Sequence, residues 1–137
     1  ARETEYTAHL GRLTFAPTSG YVKGFIDLIF EHAGKFYLVD WKSNYLGSTF
    51  ESYDGDSLAK TMHQHLYTLQ YHLYTLAFYQ YLRQGKPDFN YNADFGGVFY
   101  IFIRGTGNPK NPASGVYQGK PSLKLIERMG RALIPGF

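Results

Sequence analysis

Alternating apolar and polar positions predict two β-strands in the first third of the chain, over residues 21–30 and 35–42. The link between them contains Ala33 and Gly34, and glycine readily adopts the positive φ of a tight hairpin turn. Because side chains alternate across a strand, one face of the second strand is expected to carry Phe36, Leu38, Asp40 and Lys42. The pattern therefore predicts a hairpin on which a carboxylate and an ammonium group project together.

The first strand of this hairpin contains a second carboxylate, Asp27. If the link is a two-residue turn, His32 pairs with Lys35, and the same register places Asp27 directly opposite Asp40. Directly opposed side chains have Cβ atoms roughly 4.5 to 5.5 Å apart. Two carboxylates at that separation repel each other unless a cation or a shared proton lies between them. Mg²⁺ is the expected cation, because it is a hard ion that takes oxygen ligands and keeps several waters.

The remaining pattern predicts elements on both sides of this hairpin. Before it, the pattern predicts a polar start, an edge strand over residues 10–15 and a turn at 17–20. After it, the predicted elements are a polar loop over 43–56, one helix over 57–84, an apolar strand over 95–104, a glycine-rich loop over 105–119 and an amphipathic helix over 122–133. The strand over 95–104 is expected to lie inside the sheet with helices on both faces.

The long predicted helix carries two further polar candidates. Asp56 or Ser57 is its expected N-cap, and a Gly-Lys-Pro sequence is its expected stop. Its apolar stripe consists of Leu58, Met62, Leu66, Leu69, Leu73, Leu76 and Ala77. Gln70 and Tyr74 lie four residues apart beside that stripe, on the same side of the helix. They either orient a phosphate or carboxylate ligand, or serve as a boundary residue and a core residue.

Composition narrows the class of protein. The 137 residues, 44% apolar and 18% aromatic, suit one compact domain with a sizeable core. A net charge of +3 is compatible with a polyanionic partner but does not require one. The longest apolar run, residues 98–103, is too short to span a membrane. The absence of cysteine excludes disulfides and thiolate metal sites, and the helical spacing of His63, His65 and His72 does not favour zinc.

Four segments in a fixed order resemble a known family. They read GFIDLIF, YLVDWKSN, LQYHLYTLAFYQYL and FGGVFYIFIRG. An acid followed thirteen residues later by Asp-x-Lys is a weak signal alone, but the ordered set is specific. Over residues 20–133 the chain resembles the PD-(D/E)XK nuclease superfamily, and within it the C-terminal nuclease domain of exodeoxyribonuclease V beta subunits (RecB).

This resemblance implies a fold. The expected architecture is an α/β restriction-endonuclease-like core, in which helices flank a central mixed β-sheet. Residues 1–137 are expected to form a single truncated domain that lacks the N-terminal helix of the full domain. The family also supplies a metal-ligating histidine on a helix upstream of the first acid. No helical pattern precedes Asp27, and His9 lies in the wrong setting to take that role.

The resemblance also implies the roles of individual residues. Asp27, Asp40 and the main-chain carbonyl of Trp41 correspond to ligands of one or two Mg²⁺ ions, for which Mn²⁺ or Ca²⁺ can substitute in binding. Lys42 corresponds to the catalytic lysine. The family's QxxxY-type motif is matched by Gln70 and Tyr74.

The activity that the resemblance implies is metal-dependent hydrolysis of DNA, as an exonuclease or endonuclease, in the bacterial cytoplasm. The implied partners are DNA, a helicase region of the same subunit, and RecC- and RecD-type subunits that process broken duplex ends in recombinational repair, with no membrane. Two alternatives stay open at this point. One is a non-catalytic DNA-binding or subunit-docking module that keeps the nuclease fold. The other is a non-nuclease α/β domain whose Asp27 and Asp40 bind nothing.

Overall fold

The computed structural model describes residue 20 and residues 23–137. These residues contain a four-stranded sheet with the strands in chain order, namely β1 (Leu28–His32), β2 (Lys35–Lys42), β3 (Phe95–Phe102) and β4 (Val116–Gly119). The β1–β2 and β3–β4 pairs are antiparallel, whereas β2 and β3 are parallel. The expectation of a mixed sheet in an α/β fold is therefore confirmed.

Helices connect and flank these strands. They are α1 (Gly55–Gln64), α2 (Tyr67–Gly85), α3 (Tyr91–Asp94) and α4 (Leu123–Leu133), with short 3-10 helices at Phe50–Tyr53 and Ile103–Gly105. Side chains of α2 pack on the two central strands, Phe78 against Phe36 and Phe95, and Tyr71 against Tyr100. Helix α4 packs against α2. No helix in the described part of the chain is long and apolar enough to cross a membrane.

The predicted hairpin and its register are confirmed. Ala33 and Gly34 form the turn with φ values of 50° and 73°. His32 pairs with Lys35, and the same register continues to the first residue of β1. Asp40 and Lys42 therefore share a face of β2, as the alternation predicted.

The first strand is shorter than predicted. Residues 23–26 have no regular secondary structure and Asp27 forms a bend, so β1 overlaps only the last three residues of the predicted range 21–30 and extends two residues beyond it. The predicted edge strand over residues 10–15 and most of the predicted turn at 17–20 lie outside the described residues.

The single helix predicted over residues 57–84 is wrong, because the chain leaves the helical conformation between α1 and α2. Leu66 has a φ of 57° there, a left-handed conformation that costs a non-glycine residue roughly 1–2 kcal/mol. The new helix starts when the amide of Gln70 bonds to the carbonyl of Leu66 at 3.0 Å. Neither glycine nor proline marks the break, and the apolar periodicity of the sequence continues through it. The pattern therefore predicted one uninterrupted helix.

The break changes the face that α2 buries. Leu58, Met62 and Leu76 are buried as predicted, but Ala77 is exposed. The residues that α2 buries are Thr68, Tyr71, His72, Thr75, Leu76, Phe78, Tyr79 and Leu82. Packing against the sheet therefore decides the orientation of α2. The apolar periodicity of the sequence carries no information about that packing.

Further boundaries differ from the prediction, among them the end of the strand predicted over residues 95–104, which stops at Phe102 before a 3-10 helix. Asp54 caps α1 in place of Asp56 or Ser57, because its carboxylate accepts a hydrogen bond from the amide of Ser57 at 2.8 Å. Strand β4 lies within the loop predicted over residues 105–119, where it pairs with β3. The amphipathic helix predicted over residues 122–133 is confirmed as α4.

The two faces of the sheet differ in how far helices cover them. The face toward α2, here the inner face, contains Asp40 and Lys42. The opposite, outer face carries a stack of Phe30, Tyr37 and Phe99, whose successive ring centroids lie 5.0 and 5.6 Å apart. Leu28 and Trp41 on the outer face stay 43% and 50% exposed. Helices were expected on both faces of β3. In the described part of the chain they pack on the inner face, so that expectation is not met there.

Candidate active site

Two carboxylates and one lysine meet at the end of β2. The ammonium nitrogen of Lys42 lies 2.6 Å from Oδ2 of Asp40, and both side chains are largely buried. Asp27, at the bend before β1, reaches the same strand, where its Oδ2 accepts a hydrogen bond from the amide of Trp41 at 2.9 Å. Continued one residue beyond Leu28, the hairpin register places Asp27 opposite Asp40. The structure therefore brings together the three charged residues that the sequence pattern singled out.

The main chain of Trp41 faces the same side. The amide and carbonyl of a strand residue point toward the same neighbouring strand. Since the Trp41 amide bonds to Asp27, its carbonyl faces the side on which Asp27 lies. Strand β1 begins only at Leu28, so the ladder of β1 does not extend to this carbonyl. An oxygen ligand from Trp41, as the resemblance implied, is compatible with this geometry.

Burial and the neighbouring Lys42 act on the pKa of Asp40 in opposite directions. Burial raises the pKa of Asp40 above its ordinary value of 3.8, and the charge of Asp27 adds to that effect, whereas the hydrogen bond and charge of Lys42 oppose it. The described residues hold no group of three or more His, Cys, Asp or Glu that could bind a metal ion. A hard cation here would therefore depend on two carboxylates, main-chain oxygen and water, which is a donor set that Mg²⁺ accepts.

Helix α2 brings Gln70 and Tyr74 to the lysine. The ammonium group of Lys42 donates to Oε1 of Gln70 at 3.1 Å, and Nε2 of Gln70 donates to the hydroxyl of Tyr74 at 3.0 Å. Gly24 leaves room for that tyrosine, since a Cβ atom at this position would lie 2.7 Å from a Tyr74 ring carbon. Gln70 therefore belongs to the hydrogen-bonded network around Lys42, and a role toward a ligand stays a prediction.

Two tyrosines, Tyr67 and Tyr100, also surround the lysine. The ammonium group lies 4.0 Å from the ring centroid of Tyr67 and 5.1 Å from that of Tyr100. Tyr100 is the partner of Asp40 in the β2–β3 register, and its hydroxyl donates to Oε1 of Gln70 at 2.9 Å. Burial, reinforced by the charge of Asp40, raises the pKa of Tyr100 above its ordinary value.

The loop after β2 is tied to this site. The hydroxyl of Tyr67 donates to Oδ1 of Asn44 at 3.1 Å. Nε of Arg104, in the 3-10 helix after β3, donates to the carbonyl of Ser43 at 2.9 Å and so ties the loop to that helix. Tyr45, the next residue of this loop after Asn44, is 67% exposed. The loop therefore presents polar and aromatic groups at the rim of the site.

Comparison with known proteins gives the family. No protein-family model matches the chain. The RecBCD enzyme subunit RecB of Haemophilus influenzae is 48% identical over 117 residues, and that of Escherichia coli is 45% identical over 117 residues. Each match covers 85% of this chain and 10% of the relative. A RecB subunit of Mycobacterium tuberculosis is 32% identical over 126 residues, covering 88% of this chain and 12% of the relative. The chain therefore belongs to the RecB family, and it spans about a tenth of the length of these curated relatives.

Proposed function

We propose that this chain provides the active site of a Mg²⁺-dependent deoxyribonuclease. The supporting observation is the convergence of Asp27, Asp40, Lys42 and Gln70 at one end of β2. Oxygen ligands suited to a hard cation lie there beside an ammonium group, and both a metal ion and an ammonium group can stabilise the charge that develops in phosphodiester hydrolysis. Membership in the RecB family supports the same proposal.

Each residue of the site has a distinct role in this proposal. Asp27, Asp40 and the carbonyl of Trp41 would hold Mg²⁺, which when bound supplies Lewis-acid polarisation of a phosphate oxygen and a more acidic water. The amide of Trp41 fixes the carboxylate of Asp27. The ammonium group of Lys42 stabilises negative charge that develops on the phosphate oxygens. Gln70 orients that ammonium group through its side-chain oxygen.

The family membership extends the proposal to partners. The relatives are named as subunits of RecBCD enzymes, and this chain spans about a tenth of their length. We infer that the site acts within a longer polypeptide that contains a helicase region. That polypeptide would associate with RecC- and RecD-type subunits and process duplex DNA ends during recombinational repair in the bacterial cytoplasm.

Hydrolysis of end-labelled DNA by the full-length gene product that contains this chain, assembled with its partner subunits, tests the proposal. Cleavage should require Mg²⁺, stop when EDTA is added and return with excess Mg²⁺, because the charge of the metal is needed at the carboxylate pair. A non-catalytic DNA-binding module would instead bind DNA without regard to Mg²⁺, with an affinity that falls steeply with salt. Binding without hydrolysis in saturating Mg²⁺ or Mn²⁺ would contradict the nuclease proposal.

A further inference from the structure

We propose that Tyr100, assisted by Tyr67, is a positioning residue that holds the ammonium group of Lys42 through the side chain of Gln70. The inference rests on the proposed function, because it assigns a task within that site. Tyr100 is only 1% exposed and lies on β3 directly beside Asp40, so its hydroxyl faces the site from the sheet. Its contacts with Gln70 and Lys42 carry the argument.

The directions of the hydrogen bonds are fixed by chemistry. A lysine ammonium group can only donate, so the Gln70 atom that it contacts is the oxygen. The Tyr100 hydroxyl contacts the same oxygen and must therefore donate as well. The amide nitrogen of Gln70 is then left to donate to Tyr74, as observed. Tyr100 and Tyr74 thus hold both ends of the Gln70 amide, and the amide oxygen is aimed at Lys42.

The rings complete the enclosure of the ammonium group. The face of Tyr67 lies 4.0 Å from the lysine nitrogen, within the range of a cation–π contact. Tyr67 is held in turn by Asn44 and packs against the ring of Tyr100, with 6.0 Å between the centroids. A lysine side chain has many rotamers, so fixed contacts on several sides are needed to keep its charge in one place.

These contacts matter because Asp40, the other partner of Lys42, also binds the cation in the proposed function. In the proposed function the oxygens of Asp40 are ligands for a cation, so the ion pair with Lys42 cannot by itself hold the lysine. The Tyr100–Gln70 contact to Lys42 does not use that carboxylate. The lysine can therefore remain in place whether or not Asp40 is engaged elsewhere.

Tyr100→Phe removes the hydroxyl and keeps the ring, and it should be assayed in the full-length gene product. We expect kcat for Mg²⁺-dependent DNA hydrolysis to fall about fivefold, the effect of one lost hydrogen bond, with KM for DNA nearly unchanged. Tyr91→Phe is the matched control, because Tyr91 is also buried and its hydroxyl donates to the carbonyl of Pro121 at 2.8 Å, outside the site. The control should keep the wild-type kcat.

A double-mutant cycle separates positioning from a general packing effect. In a Gln70→Ala background, Tyr100→Phe should cause no further loss of kcat, because it acts through the amide that has been removed. Additive losses would overturn the inference. If Tyr100→Phe does not fold, Tyr67→Leu takes its place, with an expected fall in kcat and little change in KM. A wild-type kcat in that variant would overturn the inference.

A crystal structure of the Tyr100→Phe variant gives a readout that is independent of activity. The Lys42 side chain should occupy more than one rotamer there, and a single rotamer in Tyr91→Phe. A single unchanged position of Lys42 in Tyr100→Phe would overturn the inference even if the wild-type protein proved inactive. Wild-type hydrolysis that Tyr100→Phe leaves unchanged would overturn only the inference, and would leave the proposed function standing.

Discussion

Asp40→Asn should lower Mg²⁺-dependent DNA hydrolysis by the full-length gene product by about 10³-fold or more. The substitution keeps the shape of the side chain, and its amide oxygen can still accept the hydrogen bond of Lys42, but it removes the negative charge that a divalent cation needs. Single-turnover cleavage of labelled DNA measures the effect. Asp94→Asn is the control, since this carboxylate pairs with Lys86 at 3.9 Å and accepts a hydrogen bond from the amide of Asn90 at 2.9 Å, with no contact to the site residues, and it should cleave at the wild-type rate.

The same variant tests the burial of Asp40 through its pH dependence. A carboxyl whose pKa is raised in the folded state contributes stability below its unfolded pKa of 3.8, and that contribution is lost as pH rises through the folded pKa. Asp40→Asn escapes this loss, so its stability relative to the wild type should increase from pH 4 to pH 7. Thermal unfolding at both pH values measures the difference. A relative stability that falls with pH, or cleavage within tenfold of the wild type, would contradict the assignment of Asp40.

Lys42→Met should lower the same hydrolysis by about 10²- to 10³-fold, because it removes the charge that stabilises the phosphate oxygens. The affinity for Mn²⁺ should stay the same or rise, since the ammonium group that contacts Asp40 at 2.6 Å no longer competes with the cation. Cleavage assays and Mn²⁺ titration followed by electron paramagnetic resonance measure the two effects. Lys86→Met, at a half-exposed lysine, is the control and should change neither.

The two substitutions are expected to separate metal binding from lysine chemistry. Asp40→Asn should lose both activity and Mn²⁺ affinity, whereas Lys42→Met should lose activity alone. If Lys42→Met lost Mn²⁺ affinity together with activity, the lysine would be maintaining the carboxylate site and not acting on the phosphate.

Local sequence signals were sufficient to predict the hairpin and its charged residues. The turn at Ala33 and Gly34 fixes the register, and the alternation of β2 then places Asp40 and Lys42 on one face. The position of Asp27 followed from the same register, although the residue lies in a bend before β1. Its carboxylate bonds to the amide of Trp41, a contact between a side chain and the main chain that no alternation pattern contains.

Features set by long-range packing could not be predicted. The break at Leu66 has no glycine or proline to mark it, and the face that α2 buries after the break differs from the predicted apolar stripe. Tyr100 lies in an apolar run that reads as ordinary core, and its hydroxyl gains a role only because Gln70 of α2 lies above it. The short β4 is defined by its pairing with β3, and this pairing joins residues that are far apart in the chain.

The position of a bound metal ion tests the central claim most directly. Crystals of the full-length gene product soaked with Mn²⁺ should give an anomalous scattering peak between the carboxylates of Asp27 and Asp40, on the side of β2 that the Trp41 carbonyl faces, and Asp40→Asn should remove that peak. A protein that hydrolyses DNA in Mn²⁺ but shows no peak between these carboxylates would contradict the account.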